Sequence, residues 1–179
     1  MNYAELSNPL YHGSDKNVTK IDLSMSALRK DFGRGFYTTG DRGQAEKFAR
    51  LKANRSNTGK GYVSAFSFKD SNGLKIKKFD SSNEEWFDFV LTNRGYGNLS
   101  NPALDLEYDI IIGPVANDAV GVVLNLFVYG TYGDPTTAEA KEMAIRLLLT
   151  QKLHNQVFFG TGRAVANLRY LETYDVCID

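Results

Sequence analysis

Asp31-Phe32-Gly33-Arg34-Gly35-Phe36-Tyr37-Thr38-Thr39 is the stretch on which the fold turns. Two glycines one residue apart, entering an aromatic and β-branched run, imply unusual backbone angles or a close approach to the chain, then a strand at 36–39. Just beyond it, Asp41 stands three residues before Gln44, the capping-box spacing. Ala45, Phe48, Ala49 and Leu51 follow at helical intervals, predicting a helix over about Arg42–Asn54. Upstream, Pro9-Leu10-Tyr11-His12-Gly13-Ser14 reads as a strand opening into a loop, with His12 at its end.

Working outward, Tyr62–Phe68 and Leu74–Phe79 alternate at period two around the turn Asp70-Ser71-Asn72-Gly73, a hairpin or an adjacent strand pair. Ser82, three before Glu85, starts a helix that carries Trp86, Phe87, Phe89, Val90 and Leu91. A loop of about a dozen residues begins at Gly95. Tyr108–Pro114 is a buried strand, and Val120–Tyr129 is strongly apolar. Thr136 with Glu139 opens a helix through Leu149, and the segment Gln156–Phe159, a short helix after Thr161 and the strand Leu171–Ile178 complete the chain. Strands scattered among helices without regular βαβ spacing predict a single α+β domain over residues 1–179.

Composition narrows the function classes. Aromatic residues make 12% of the chain, enough to build a core and too many for a disordered one. Lys plus Arg and Asp plus Glu balance at 21 each, so no global field draws the chain to nucleic acid or an anionic membrane. The basic run Lys47, Arg50, Lys52, Arg55 and Lys60 reads as a solvated helix face. One cysteine, Cys177, gives neither an internal disulfide nor a Cys-based zinc site, and no metal is expected. No apolar run approaches the ~20 residues of a membrane span, and Met1–Glu5 starts nothing like a signal peptide. A cytoplasmic protein is expected, or one delivered into a target cell by a signal-independent route.

Catalytic candidates are few, since there are two histidines and no nucleophile elbow. His154 reads as a surface residue, and Asp109 and Asp118 as caps. His12-Gly13-Ser14, Phe32-Gly33-Arg34-Gly35-Phe36-Tyr37 and Asn155-Gln156-Val157-Phe158 resemble, in order and context, the three sites of the diphtheria-toxin and poly(ADP-ribose) polymerase branch of ADP-ribosyltransferases, summarised as His-Tyr-Glu. Phe48 follows Tyr37 by eleven positions, the spacing of the polymerases' second ring. The chain also resembles a bacterial and phage group in that superfamily through Gln44-Ala45, Trp86 with Phe89, Asn93-Arg94 and Asp109–Pro114.

The resemblance implies split mixed sheets with flanking helices around an NAD cleft, and NAD as co-substrate. It implies transfer of one ADP-ribose unit to a protein or nucleic-acid acceptor, with release of nicotinamide, and a toxin or conflict factor with an antitoxin partner. NAD hydrolysis, or a catalytically silent module binding NAD or ADP-ribose, are the alternatives. By residue, His12 is expected to bond the adenosine ribose, Gly13 to clamp the carboxamide through its backbone, and Tyr37 and Phe48 to sandwich nicotinamide. Ser14, Phe36, Thr38 and Thr39 are expected to line the cofactor; Arg34, whose guanidinium suits phosphate geometry, reads as a pyrophosphate contact or a solvated loop residue, and Asp31 as a group approaching substrate or adenosine or a turn or cap residue. Gln156 stands where the family has Glu: an amide can accept the ribose hydroxyl but supplies neither charge nor base. Ala45 replaces a serine that reaches the carboxamide.

Overall fold

The computed structural model describes residues 3–7, 9–100, 105–114, 118–149 and 153–177. Its strands are β1 (Leu10–Ser14), β2 (Phe36–Thr38), β3 (Lys60–Phe68), β4 (Ile76–Lys78), β5 (Ile110–Pro114), β6 (Asn155–Phe159) and β7 (Leu168–Cys177). The α-helices are α1 (Arg42–Ser56), α2 (Glu84–Asn93), α3 (Asp118–Val128), α4 (Ala138–Leu149) and α5 (Gly162–Val165). The strands form two sheets, an antiparallel one in the order β1-β3-β7 and a mixed one in the order β2-β6-β5-β4, in which β4 and β5 are parallel. The α+β expectation holds among the described residues.

Two faces of the mixed sheet make two cores. Phe36, Ile110, Ile112, Val157 and Phe159 pack with Leu10, Phe66 and Phe68 of the antiparallel sheet, so the sheets lie against each other. The opposite face, with Ile111 and Phe158, is covered by α2, α3 and α4 through Trp86, Phe87, Leu124, Phe127, Ala144 and Leu148. These side chains are nearly all fully buried, and burying each Val, Leu, Ile or Phe among them contributes roughly 1.5–3 kcal/mol.

Helix α1 covers the outer face of the antiparallel sheet with alanines only: Ala45, Ala49 and Ala53 are buried. Small residues on both partners let the backbones meet. A Cβ on Gly13 would lie 2.1 Å from the Ala45 carbonyl oxygen, and one on Gly61 would lie 2.7 Å from the Ala49 backbone. Asp41 caps α1 by accepting from the Gln44 N–H at 3.0 Å, as its spacing predicts.

Some expectations change. β3 and β4 are neither a hairpin nor adjacent: they belong to different sheets. Phe66 and Phe68 on one, and Ile76 on the other, feed the same core from opposite sides, so the turn at 70–73 carries the chain between layers. The cap of α2 is Asn83, which accepts from the Trp86 N–H at 3.0 Å, in place of Ser82. At α4 it is Thr137 that accepts from Ala140 N–H, while Thr136 bonds Asp134. The apolar run from Val120 is the helix α3. The end of the last strand at Ile178, the later part of the loop after Gly95 and the Asp118 side chain lie outside the described residues.

Candidate active site

The two sheets are stitched where β1 meets β2. Tyr11 and Thr39 exchange backbone hydrogen bonds of 2.8 and 2.9 Å across this seam. Continuing that antiparallel register would pair Gly13 with Tyr37. Instead the His12 side chain enters the seam, and its Nδ1 donates to the Tyr37 carbonyl at 2.7 Å. The imidazole also lies on the Phe36 ring, 4.5 Å between centroids. Alternation along β1 directs the Gly13 N–H and C=O to the same edge as those of Tyr11, toward the opening between β1 and β2.

Because a carbonyl only accepts, His12 carries its proton on Nδ1 and presents a bare Nε2. Burial, helped by the charges of Lys30 and Lys52 and opposed by the bond to Tyr37, lowers its pKa to about 4. It is neutral at pH 7.

Tyr37 is held at its far end by the glycine loop. Its hydroxyl donates to the Gly33 carbonyl at 2.6 Å and accepts from the Phe32 N–H at 3.2 Å. Gly33 has φ +88°, and a Cβ there would lie 2.9 Å from the Asn93 side-chain oxygen, so the loop needs glycine on both counts. Burial, with the Asp31 charge, raises the Tyr37 pKa and keeps the phenol protonated. The ring meets Phe158 edge-on at 5.0 Å, and the Lys30 ammonium lies 4.9 Å from its centroid.

Gln156 sits on β6 opposite Gly113. Side chains alternate along a strand, so Gln156 shares a sheet face with Phe158 and hence with Tyr37, the partner of Phe158. It is only 6% exposed, and its Nε2 has no hydrogen-bond partner. An unmade bond of this kind costs about 1–3 kcal/mol.

The other expected residues fall into two groups. Phe36 is core, against Phe66 at 5.3 Å, and Thr38 is buried with its hydroxyl donating to the Val157 carbonyl at 3.3 Å. Thr39 donates to the Gln44 side chain at 2.7 Å, and Ser14 to Asp15 at 3.3 Å. Asp31 is buried and bonded by Arg94, whose Nε and Nη2 lie 2.9 and 2.7 Å from Oδ1. Arg34 is exposed and donates to the Ser24 carbonyl. Phe48 is 45% exposed on α1, with the Lys52 ammonium 5.6 Å from its ring. No ring contact joins Phe48 to Tyr37 among the described pairs. His154 is exposed, 3.6 Å from Asp41, as its position predicts.

Motif and periodicity left out Lys30 and the work of Arg94. Arg94 stands in a quoted motif, but its pairing across 63 residues with Asp31 has no local signal. A concavity of about 660 Å³ lies between α2 and α4, and one of about 190 Å³ is lined by Glu5, Thr39, Gln44, His154 and Asn155; neither includes His12, Tyr37 or Gln156. Among the described residues there is no cluster of three or more His, Cys, Asp or Glu side chains fit to hold a metal, and no helix long and apolar enough to cross a membrane.

The fold and seam define a two-sheet α+β domain in which a neutral histidine and a tethered tyrosine meet where the sheets part. The chain belongs to the family described as protein of unknown function DUF3990, which matches residues 9–170. No curated protein and no solved structure matches it.

Proposed function

We propose that this protein is an NAD-dependent mono-ADP-ribosyltransferase acting on a protein or nucleic-acid acceptor. The observation that carries the reading is the His12–Tyr37 bond at the seam, which places two of the three resembling motifs together and leaves the Gly13 backbone facing the opening. Gln156 on the Tyr37 face of the mixed sheet brings in the third motif, and its unpartnered amide is a polar group a ligand would satisfy.

In this reading Nε2 of His12 accepts a hydroxyl of the adenosine ribose, the Gly13 N–H and C=O grip the carboxamide, and the Tyr37 ring stacks on nicotinamide. The missing side chain at Gly13 serves α1, since the space a Cβ would take is filled by the Ala45 carbonyl. Ala45 is buried in the same contact and offers no polar atom to the carboxamide.

The reaction breaks the bond between the nicotinamide nitrogen and ribose C1′, the electron pair leaving with neutral nicotinamide. The acceptor's lone pair then bonds C1′, and its proton passes to solvent. Gln156 orients the ribose through its amide, the unpartnered Nε2 donating to a ribose oxygen and Oε1 accepting the 2′-hydroxyl, and it removes no proton, so the acceptor is a group that is nucleophilic unaided. That same amide favours a second reading, a module that binds NAD or ADP-ribose without turnover.

Purified protein incubated with labelled NAD, with and without lysate, separates these readings. Nicotinamide release with label on one class of macromolecule is the expected result. Release without label would indicate hydrolysis, binding without release the silent module, and absence of NAD binding would remove the site assignment.

A further inference from the structure

We propose that β7 pairs, edge to edge and antiparallel, with β7 of a second copy of this chain, joining two three-stranded sheets into one. The inference is independent of the NAD reading. β7 is the outer strand of the order β1-β3-β7, so the seam where β1 meets β2 lies at the other edge of that sheet and is not used by the pairing.

Length and exposure both mark this edge. At ten residues β7 is long for a strand that is paired on one side only among the described residues, where a row of free N–H and C=O groups is a template for another strand. Burial also stops alternating along it. Arg169, Tyr170, Leu171 and Glu172 are all exposed, Leu171 at 49% and Tyr170 at 36%, whereas a strand covered on one face buries every second side chain.

The four side chains identify the occupant, because they complement themselves in reverse. Setting Arg169 opposite Glu172 of the partner subunit brings Tyr170 opposite Leu171 of the partner subunit, and the two-fold axis repeats both contacts. Arg169 and Glu172 are the only charged residues in 166–174, so a slip of register loses both charge matches. No ion pair within the chain engages either one among the described residues. Charges on an edge ordinarily turn away an added strand; opposite charges at this spacing instead hold a copy of the same strand.

Cross-strand partners must share a sheet face, and residues three apart in a regular strand do not. The bulge in β7 removes the conflict. Arg169 stands opposite Ser67 and Glu172 opposite Ala65, two residues apart on β3, because Leu171 is an extra residue between Tyr170 and Glu172. Arg169 and Glu172 therefore lie on one face, where each can meet the other's counterpart across the axis.

The test is sedimentation velocity on the full chain from about 2 to 200 µM, a range over which mass action makes a pairing visible. The wild type is compared with Arg169→Glu, Glu172→Arg, the double charge swap, an equimolar mixture of the two single variants, and Lys47→Glu as an exposed control on α1. Thermal melts establish that each variant is folded. We expect a dimer in the wild type and in Lys47→Glu, and a dimer weakened about tenfold or more in each single variant, where like charges face each other twice. The mixture and the double swap should both recover it, because each restores two opposite-charge pairs. A wild type that stays monomeric across the range overturns the proposal. So does a dimer that the single variants leave unchanged, or one that the mixture and the double swap fail to restore.

Discussion

His12 is a side chain doing the work of a backbone rung, and its chemistry makes that visible in solution. Its folded pKa of about 4 lies below the ordinary value of 6.5, so between these pH values the unfolded chain binds more protons. Stability from this group is fully present above pH 6.5 and is lost as pH falls through about 4, a swing of roughly 3 kcal/mol. Urea unfolding followed over that window should show the slope in the wild type and a flatter one in His12→Ala; parallel slopes would place the acid sensitivity elsewhere. Tyr37→Phe removes the bond to Gly33 and leaves the Phe32 N–H unmet, for an expected loss of about 1–3 kcal/mol by denaturant midpoint. Gln156 separates stability from function. Gln156→Leu removes a buried unpartnered amide and should be neutral or stabilising by up to about 2 kcal/mol while weakening NAD binding. Gln156→Glu should raise nicotinamide release, and an unchanged rate would argue that the side chain does not face the ribose.

Helix α1 and the sheet beneath it obey a size rule rather than a hydrophobic one. Gly61→Ala forces a methyl group against the Ala49 backbone, which should cost about 1–3 kcal/mol and speed amide exchange across 45–53. Undiminished protection there would show that the helix yields easily. The helix itself was legible, because Asp41, Gln44 and the alanine spacing are all local features. The partner of β3 was not. Period-two alternation in 62–68 and 74–79 says that each segment is a strand, and the turn between them says that the chain reverses; nothing in the pattern says which sheet receives the second strand. Ile76 finds Ile110, 34 residues away, since burial against both sheets outweighs the proximity of β3. The one-residue cap errors at 82–83 and 136–137 have a similar origin: serine, threonine and asparagine all cap well, and the geometry of entry chooses among neighbours.

Across the molecule, four layers depend on a few long-range polar ties. Asp109, fully buried at the start of β5, resists its own desolvation by accepting from Lys75 N–H, Thr161 and Arg163, and its pKa is lowered. It joins the entry to β4, the strand β5 and the cap of α5. Asp109→Ala should therefore lower the unfolding free energy by about 3 kcal/mol, measured by urea denaturation. The candidate site was partly legible at this scale: residues 12, 37 and 156 were named from sequence, and the structure brings the first two into contact and sets the third on the same sheet face as Tyr37. The partners of the site's cations were not legible, because Asp31 holds Arg94 from 63 residues away and the Ser24 carbonyl takes Arg34. The glycine and alanine seat of α1 carries a mechanical consequence. Where backbones touch, with no side chain between them to repack, a helix cannot slide or roll gradually; it is indexed to the strand like a gear tooth. Phe48 and Lys52, beside that buried stripe, are thus positioned by the spine of β1 and β3, and a change in the aromatic cores reaches them only if it moves that spine.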